Sequence, residues 1–343
     1  QVNAVRVVFS GRHLQVFTSG AEWMVTGDPL TPTNLQLTRQ TRIGSPVNRS
    51  APPRDVDGAT LYLARNGREL REFLFADTEQ AYQSNDLAIL ARDLLVDPID
   101  QDYDQRERLL HIVMADGTLG TVTIFRAEQV TAWTLQSTKG SFLSVAVAGE
   151  RVYVLVARDN GIFIEVFDPA VMTDAALLGE AASPTVNWSG LDHLNGEIVA
   201  VLADGIVRGD KLVTGGAITL DQPASAIQAG LRFRHEIEPL PVSTGSPRGP
   251  VQGTPVRLIR ATFRLLETSA LRVDTGSGFT EIPFKQLAET GVLDSPIQPF
   301  SGDKTVRALG WTRAGIEAAW RIAQDTPLPC TVLSVHTEIM VND

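Results

Sequence analysis

At 343 residues, 43% of them hydrophobic, the chain is long enough to bury one large core or two smaller ones. Its formal charge of −10 and pI near 5.1 argue against tight nucleic-acid binding, which needs clustered Lys and Arg to displace phosphate counterions. The single cysteine, Cys330, excludes an internal disulfide framework and a multi-cysteine metal centre, and no apolar run approaches the length of a membrane span.

The chain opens inside an apolar alternating stretch (Val5, Val7, Phe9) with no initial Met, as expected of a piece of a longer protein. Arg6–Gly27 reads as three strands with turns at Ser10–Gly11 and Ser19–Gly20. Pro46–Asp57 carries three prolines and two arginines and reads as an extended surface loop. Ala59–Phe75 turns at Asn66–Gly67, a dipeptide that supplies the positive φ angles of a two-residue hairpin. Over Ser84–Val96, Leu87, Leu90, Ala91, Leu94 and Leu95 recur at helical spacing, and Ser84 or Asn85 can cap, so a short helix is expected.

Leu109–Phe125 turns at Asp116–Gly117 and continues into Val130–Leu135. Ser144–Asp168 gives three strands around Gly149 and Asn160–Gly161. Leu191–Val213 gives more, around Asn195–Gly196, Asp204–Gly205 and Gly209–Asp210. Ser243–Gly253 is rich in Gly, Pro and Ser and reads as a linker, after which Pro255–Gly276 alternates again and Cys330–Val341 forms a last strand.

Five hairpin groups thus recur at intervals of roughly 35–55 residues, a spacing that suits propeller blades. The expected fold is all-β: an irregular, propeller-like domain over 1–245 and a C-terminal β module over 246–343. No repeated Trp-Asp or Gly-His signature is present, and a large Greek-key sandwich is the competing architecture. Trp23, Trp133 and Trp188 sit on or beside separate hairpin groups, where they would fill gaps between neighbouring sheets.

Several phrases are more specific than a β pattern. Phe17–Gly27 (FTSGAEWMVTG), Leu30–Ala76, Asp86–Leu95, Met114–Thr138 and Gly140–Arg158, in that order, resemble a family of tailed-bacteriophage structural proteins. That family includes nozzle-like tail tubular proteins and related tail or spike components of phages and gene-transfer agents. The closing Pro327–Asp343 is also similar to the family's C-terminal end, whereas the likeness is loose between Asp168 and Pro250. The resemblance implies a propeller-like domain with added β modules, assembled as a ring or stack on a virion made in the host cytoplasm. It implies as partners further copies of the chain and neighbouring tail, adaptor or fibre proteins, with DNA passing but not specifically bound.

Candidate chemistry is sparse. His13, His111, His193, His235 and His336 are dispersed, without HxH or HExxH spacing, and each reads first as a structural histidine. No GxSxG elbow occurs, and Gly245–Gly253 lacks the lysine of a phosphate-binding loop. Asp97, Asp100, Asp102 and Asp104 could offer several oxygens to Ca²⁺, but without the central Gly and closing Glu of a calcium loop they read first as a solvated acidic turn. Arg39, Arg42 and Arg49 with Gln36 and Gln40 mark a polar stretch suited to an interface or channel wall. No catalytic, cofactor or metal residue is assigned. Two functions remain: a tail nozzle, hub or spike-base subunit, or a receptor- or carbohydrate-binding module of a fibre or spike. A polysaccharide-cleaving carboxylate pair is a third option that the motifs do not support.

Overall fold

The computed structural model describes residues 3–47, 51–242, 245–246, 249–250, 253–284, 295–308, 311–313 and 316–341. It is an all-β protein, with 59% of residues in strands and no α-helix among the described residues. The chain divides into two compact units, Gln1–Asp168 and Pro169–Asp343. The boundary expected near residue 245 therefore falls inside the second unit.

In the first unit, consecutive strands pair antiparallel with their sequence neighbours. The first sheet is β1 (Val5–Ser10), β2 (Leu14–Thr18), β3 (Glu22–Thr26) and β4 (Gln36–Thr41). The second is β5 (Arg54–Val56), β6 (Ala59–Leu63), β7 (Leu70–Ala76) and β8 (Ala81–Asp86). The third is β9 (Pro98–Asp104), β10 (Leu109–Met114), β11 (Leu119–Phe125) and β12 (Val130–Gln136). The fourth has three strands: β13 (Ser141–Ala148), β14 (Arg151–Arg158) and β15 (Gly161–Val166).

These sheets stack face to face in chain order, because side chains alternate along a strand and both faces of the middle sheets are apolar. On β6, Tyr62 points to the first sheet and meets Phe17 and Phe73, with ring centroids 4.9 and 6.1 Å away. Its neighbours Leu61 and Leu63 point the other way and pack with Leu110, Ile112 and Val122 of the third sheet. The third sheet repeats the arrangement, turning Val113 and Leu119 toward Phe142, Val154 and Val156 of the fourth. Among the described residues the sheets close into neither a barrel nor a propeller ring.

The turns at Ser10–Gly11, Ser19–Gly20, Asp116–Gly117, Gly149 and Asn160–Gly161 lie between strands as expected. Asn66–Gly67 also lies in a turn, but within a longer loop from Leu63 to Leu70 and not a two-residue hairpin. Two further expectations fail. Ser84 belongs to β8, and the segment that follows turns without forming a helix. The Leu87 amide donates to the Leu70 carbonyl at 2.8 Å, which draws the backbone out of a helical path. The loop expected over Pro46–Asp57 ends instead in β5, joined to β6 through Asp57 and Gly58, both at positive φ. Residues 48–50, with Arg49, lie outside the described residues.

The second unit begins with β16 (Asp174–Ser189), β17 (Ile198–Ala203), β18 (Ile206–Leu212) and β19 (Ala217–Leu231), ordered β16-β19-β17-β18. Its long strands gather Trp188, Leu194, Val201, Ile218 and Ala229 into one core. The turn expected at Gly209–Asp210 is absent. The β17–β18 register shifts there, so that glycine marks a bulge in a continuous strand. The chain continues through β20 (His235–Ile237) and the two-residue pair β21 (Gly245–Ser246) and β22 (Gly249–Pro250), which fall in the expected linker. Next come β23 (Pro255–Thr268), β24 (Arg272–Asp274), β25 (Thr280–Glu281) and β26 (Phe300–Arg307). The last are β27 (Thr312–Arg313), β28 (Arg321–Gln324) and β29 (Thr331–Val341). Phe263 and Leu265 of β23 pack with Val273 of β24 and Ile322 of β28, making a two-layered core. Cys330 lies half-buried at its margin, and burial pushes its thiol up to about 11.

One buried carboxylate fixes the passage from the first sheet to the second. Glu22 is fully buried, and its carboxylate accepts the Gly44 amide at 2.7 Å, the Ile43 amide at 3.3 Å and the Thr41 hydroxyl. Gly44 has φ +81°, and an added Cβ would stand 2.5 Å from the Ser19 carbonyl oxygen. Gly58, at φ +79°, has open space around it. Gly58→Ala is expected to cost about 1–2 kcal/mol from the left-handed backbone alone. Gly44→Ala should add about 1–3 kcal/mol of overpacking, read as a lower urea midpoint for full-length protein.

Candidate interaction surfaces

The acidic run singled out in the sequence is a strand, not a turn. Asp100, Asp102 and Asp104 alternate along β9, the edge of the third sheet, and β13, the edge of the fourth, lies beside it. An edge strand leaves every second amide unpaired. The Asp100 carboxylate accepts the Val145 amide at 3.1 Å and the Ser144 hydroxyl, and Asp102 accepts the Val147 amide at 2.7 Å. The period of two that suggested a string of cation ligands is the period needed to meet alternate amides of a neighbouring edge. Arg54 balances Asp102 at 2.6 Å, while Asp104 accepts the amides of Arg106 and Glu107 in the turn after β9. Among the described residues, no group of three or more His, Cys, Asp or Glu side chains is placed to hold a metal ion.

His111 lies in register between Asp102 on β9 and Thr121 on β11. It is buried: Nδ1 is 3.1 Å from the Thr121 hydroxyl, and Nε2 meets no hydrogen-bond partner among the described residues. Its ring lies nearly parallel to Phe167, with centroids 6.1 Å apart. Burial lowers its pKa, and the nearby Asp104 and Asp102 offset that only in part. The other histidines are not drawn together with it. His13 contacts Phe75 and Tyr82, His193 Nε2 lies 2.7 Å from the Ala175 carbonyl oxygen, His235 packs on Phe233, and His336 sits on β29.

The polar stretch with Gln36, Arg39 and Gln40 is β4, the exposed edge of the first sheet. Gln40 accepts the Tyr82 amide at 2.6 Å, which ties that edge to the second sheet. Trp133 and Trp188 pack in separate cores, and Trp133 donates to the Leu87 carbonyl at 3.1 Å; Trp23 is half-buried on the outer side of the first sheet. In the second unit a half-open cavity of about 450 Å³ is lined by Thr275, Ser277, Thr280, Glu281, Lys304 and Arg307.

The feature that sequence reasoning missed is a pair of apolar outer faces. On the outer side of the fourth sheet, Ala157 faces Ile162, Leu155 faces Ile164, and Tyr153 faces Val166. Ile164 is 77% exposed and Ile162 63%. On the outer side of the first sheet, Val8, Val16 and Trp23 lie opposite one another across three strands, and Val25 faces Leu37. Val8 and Leu37 are each more than half exposed, at 56% and 51%. The alternation of Ile162, Ile164 and Val166 was legible; their exposure was not. No family model matches the chain, and no curated protein matches it.

Two outcomes are expected. Asp102→Ala should cost about 1.5–3 kcal/mol, as loss of a charged acceptor does. It should also raise amide hydrogen exchange at Val147 more than at Val154 in the strand beside it. The second outcome concerns pH. Because His111 holds its proton less tightly folded than unfolded, its contribution is complete above the unfolded pKa near 6.5 and is lost as pH falls below it. The denaturation midpoint should therefore drop between about pH 6.5 and 5, and less so in His111→Gln.

Proposed function

We propose that the chain is a structural subunit of a phage-like tail, serving as nozzle, hub or spike base, which assembles into a symmetric oligomer and docks neighbouring tail or fibre proteins. The observation that carries this reading is the outer face of the fourth sheet, where Ile162 and Ile164 are exposed at the end of the stack. A contiguous apolar patch of this kind marks an association surface. The stack of meanders supports a propeller-like arc, one sheet per blade, as the architecture of the first unit. The phrases that resemble phage tail proteins fall on its central elements: Phe17–Gly27 on β2 and β3, and Met114–Thr138 on β10 to β12.

The role is mechanical. A rigid β scaffold holds its shape under load, and an acidic surface, with net charge −10, repels DNA that passes through a conduit instead of retaining it. The place of such a subunit is the virion.

Native mass spectrometry and electron microscopy of the purified chain test the proposal. The expected result is a closed oligomer of defined copy number. A monomer at every concentration would overturn it. A monomer that binds a glycan through the cavity, with binding lost in Arg307→Ala, would replace it with the receptor-binding alternative.

A further inference from the structure

One buried ring of the first unit keeps an unpaired nitrogen. The Thr121 hydroxyl donates its single proton to Gln136 Oε1 at 3.4 Å, so toward His111 Nδ1, 3.1 Å away, it can only accept. That places the imidazole proton on Nδ1 and leaves Nε2 as a bare lone pair, buried and without a partner among the described residues. A neutral imidazole tolerates such a position at modest cost. An imidazolium does not, because its new Nε2–H is a charged donor with no acceptor waiting for it.

The neighbours of the ring decide what its protonation disturbs. From β9, Asp102 and Asp104 lend negative charge that favours the proton, but their oxygens are engaged: Asp102 with Arg54 and the Val147 amide, Asp104 with the amides of Arg106 and Glu107. From β11, Thr121 serves Nδ1. The face of the ring is covered by Phe167, which lies 13° from parallel with it at 6.1 Å and is itself 41% exposed. Phe167 stands just past the end of β15, where its amide donates to the Val152 carbonyl at 3.0 Å. The exposed Asp168 follows it and ends the first unit. We propose that His111 and Phe167 form an acid-released latch, in which protonation of His111 frees Phe167 from the ring and lets water reach Nε2. The segment set loose is the exit of the chain from the first unit, so acid loosens that exit while the sheets stay paired. This inference is independent of the assembly reading above.

The test uses the full-length protein and amide exchange read by NMR, corrected for the intrinsic dependence of exchange on pH. Between about pH 7 and 5, protection of the Phe167 amide should fall about tenfold or more, while that of Val154 inside the fourth sheet holds. His111→Gln should show no such fall. Phe167→Ala, at a half-exposed position, should admit water to the ring and raise the His111 pKa toward its ordinary value, followed on the ring signals. Level protection at Phe167 while His111 titrates overturns the inference. So does a fall that persists in folded His111→Gln, a His111 ring that stays neutral down to about pH 5 in the folded protein, or a His111 pKa unmoved in Phe167→Ala. If His111→Gln does not fold, the wild-type and Phe167→Ala measurements decide.

Discussion

The first unit depends on sheets that are apolar on both sides. An antiparallel sheet with one wet face is complete once a single partner covers the other face. β6 has no wet face: every residue from Ala59 to Leu63 is buried, with Tyr62 on one side and Leu61 and Leu63 on the other. A sheet of this kind requires two neighbours, and each neighbour that is itself two-sided requires another. The stack is therefore a propagating solution, and it ends only where a sheet carries a polar outer face. At the fourth sheet that face carries Ile162, Ile164 and Val166 instead. The exposed Ile164 and Val8 follow from the same patterning that buries Tyr62.

Apolar packing sets the spacing between sheets, but it leaves their edges unsatisfied, and buried or half-buried carboxylates complete them. Asp100 and Asp102 take the outward amides of β13, and Glu22 takes those of residues 43 and 44 on the way to the second sheet. Arg158 and Glu165 make a further such pair: the guanidinium meets both carboxylate oxygens and also the Lys139 carbonyl at 2.9 Å. Each burial would be costly for an isolated charge, and each is offset by two or more hydrogen bonds with directional demands. That directionality is what apolar contacts lack. It fixes which strand lies beside which, so the carboxylates define the register of the stack while the aromatic and aliphatic residues stabilise it.

Local signals in the sequence located the turns, because a glycine or Asp-Gly at positive φ leaves few alternatives; Asp204 and Gly205, at 49° and 75°, are an example. Signals that depend on tertiary partners misled. The helical spacing from Leu87 to Leu95 comes from successive turns, in which Ala91 donates to Ala88 and Leu94 to Ala91. Ala88 and Leu95 reach the core while Leu90 is 96% exposed. The acids of β9 looked solvated because nothing local reveals that an edge strand 45 residues later will lie against them. The composition shift near residue 245 falls inside the second unit. Arg232 joins Asp210 at 2.6 Å and the Asp325 carbonyl at 2.9 Å, so segments before and after it share one unit. The apolar outer faces were legible strand by strand. Their exposure was not, since an alternating strand in a finished fold looks the same as one awaiting a partner.

The polar groups that might have formed a site in the first unit are used up at junctions: His111 on Thr121, the aspartates on amides, Gln40 on Tyr82. What such consumption leaves is a stack of sheets with apolar side chains exposed on its outer sides. Stiffness follows from the two-sided burial, because bending one junction would strain the next through a shared sheet.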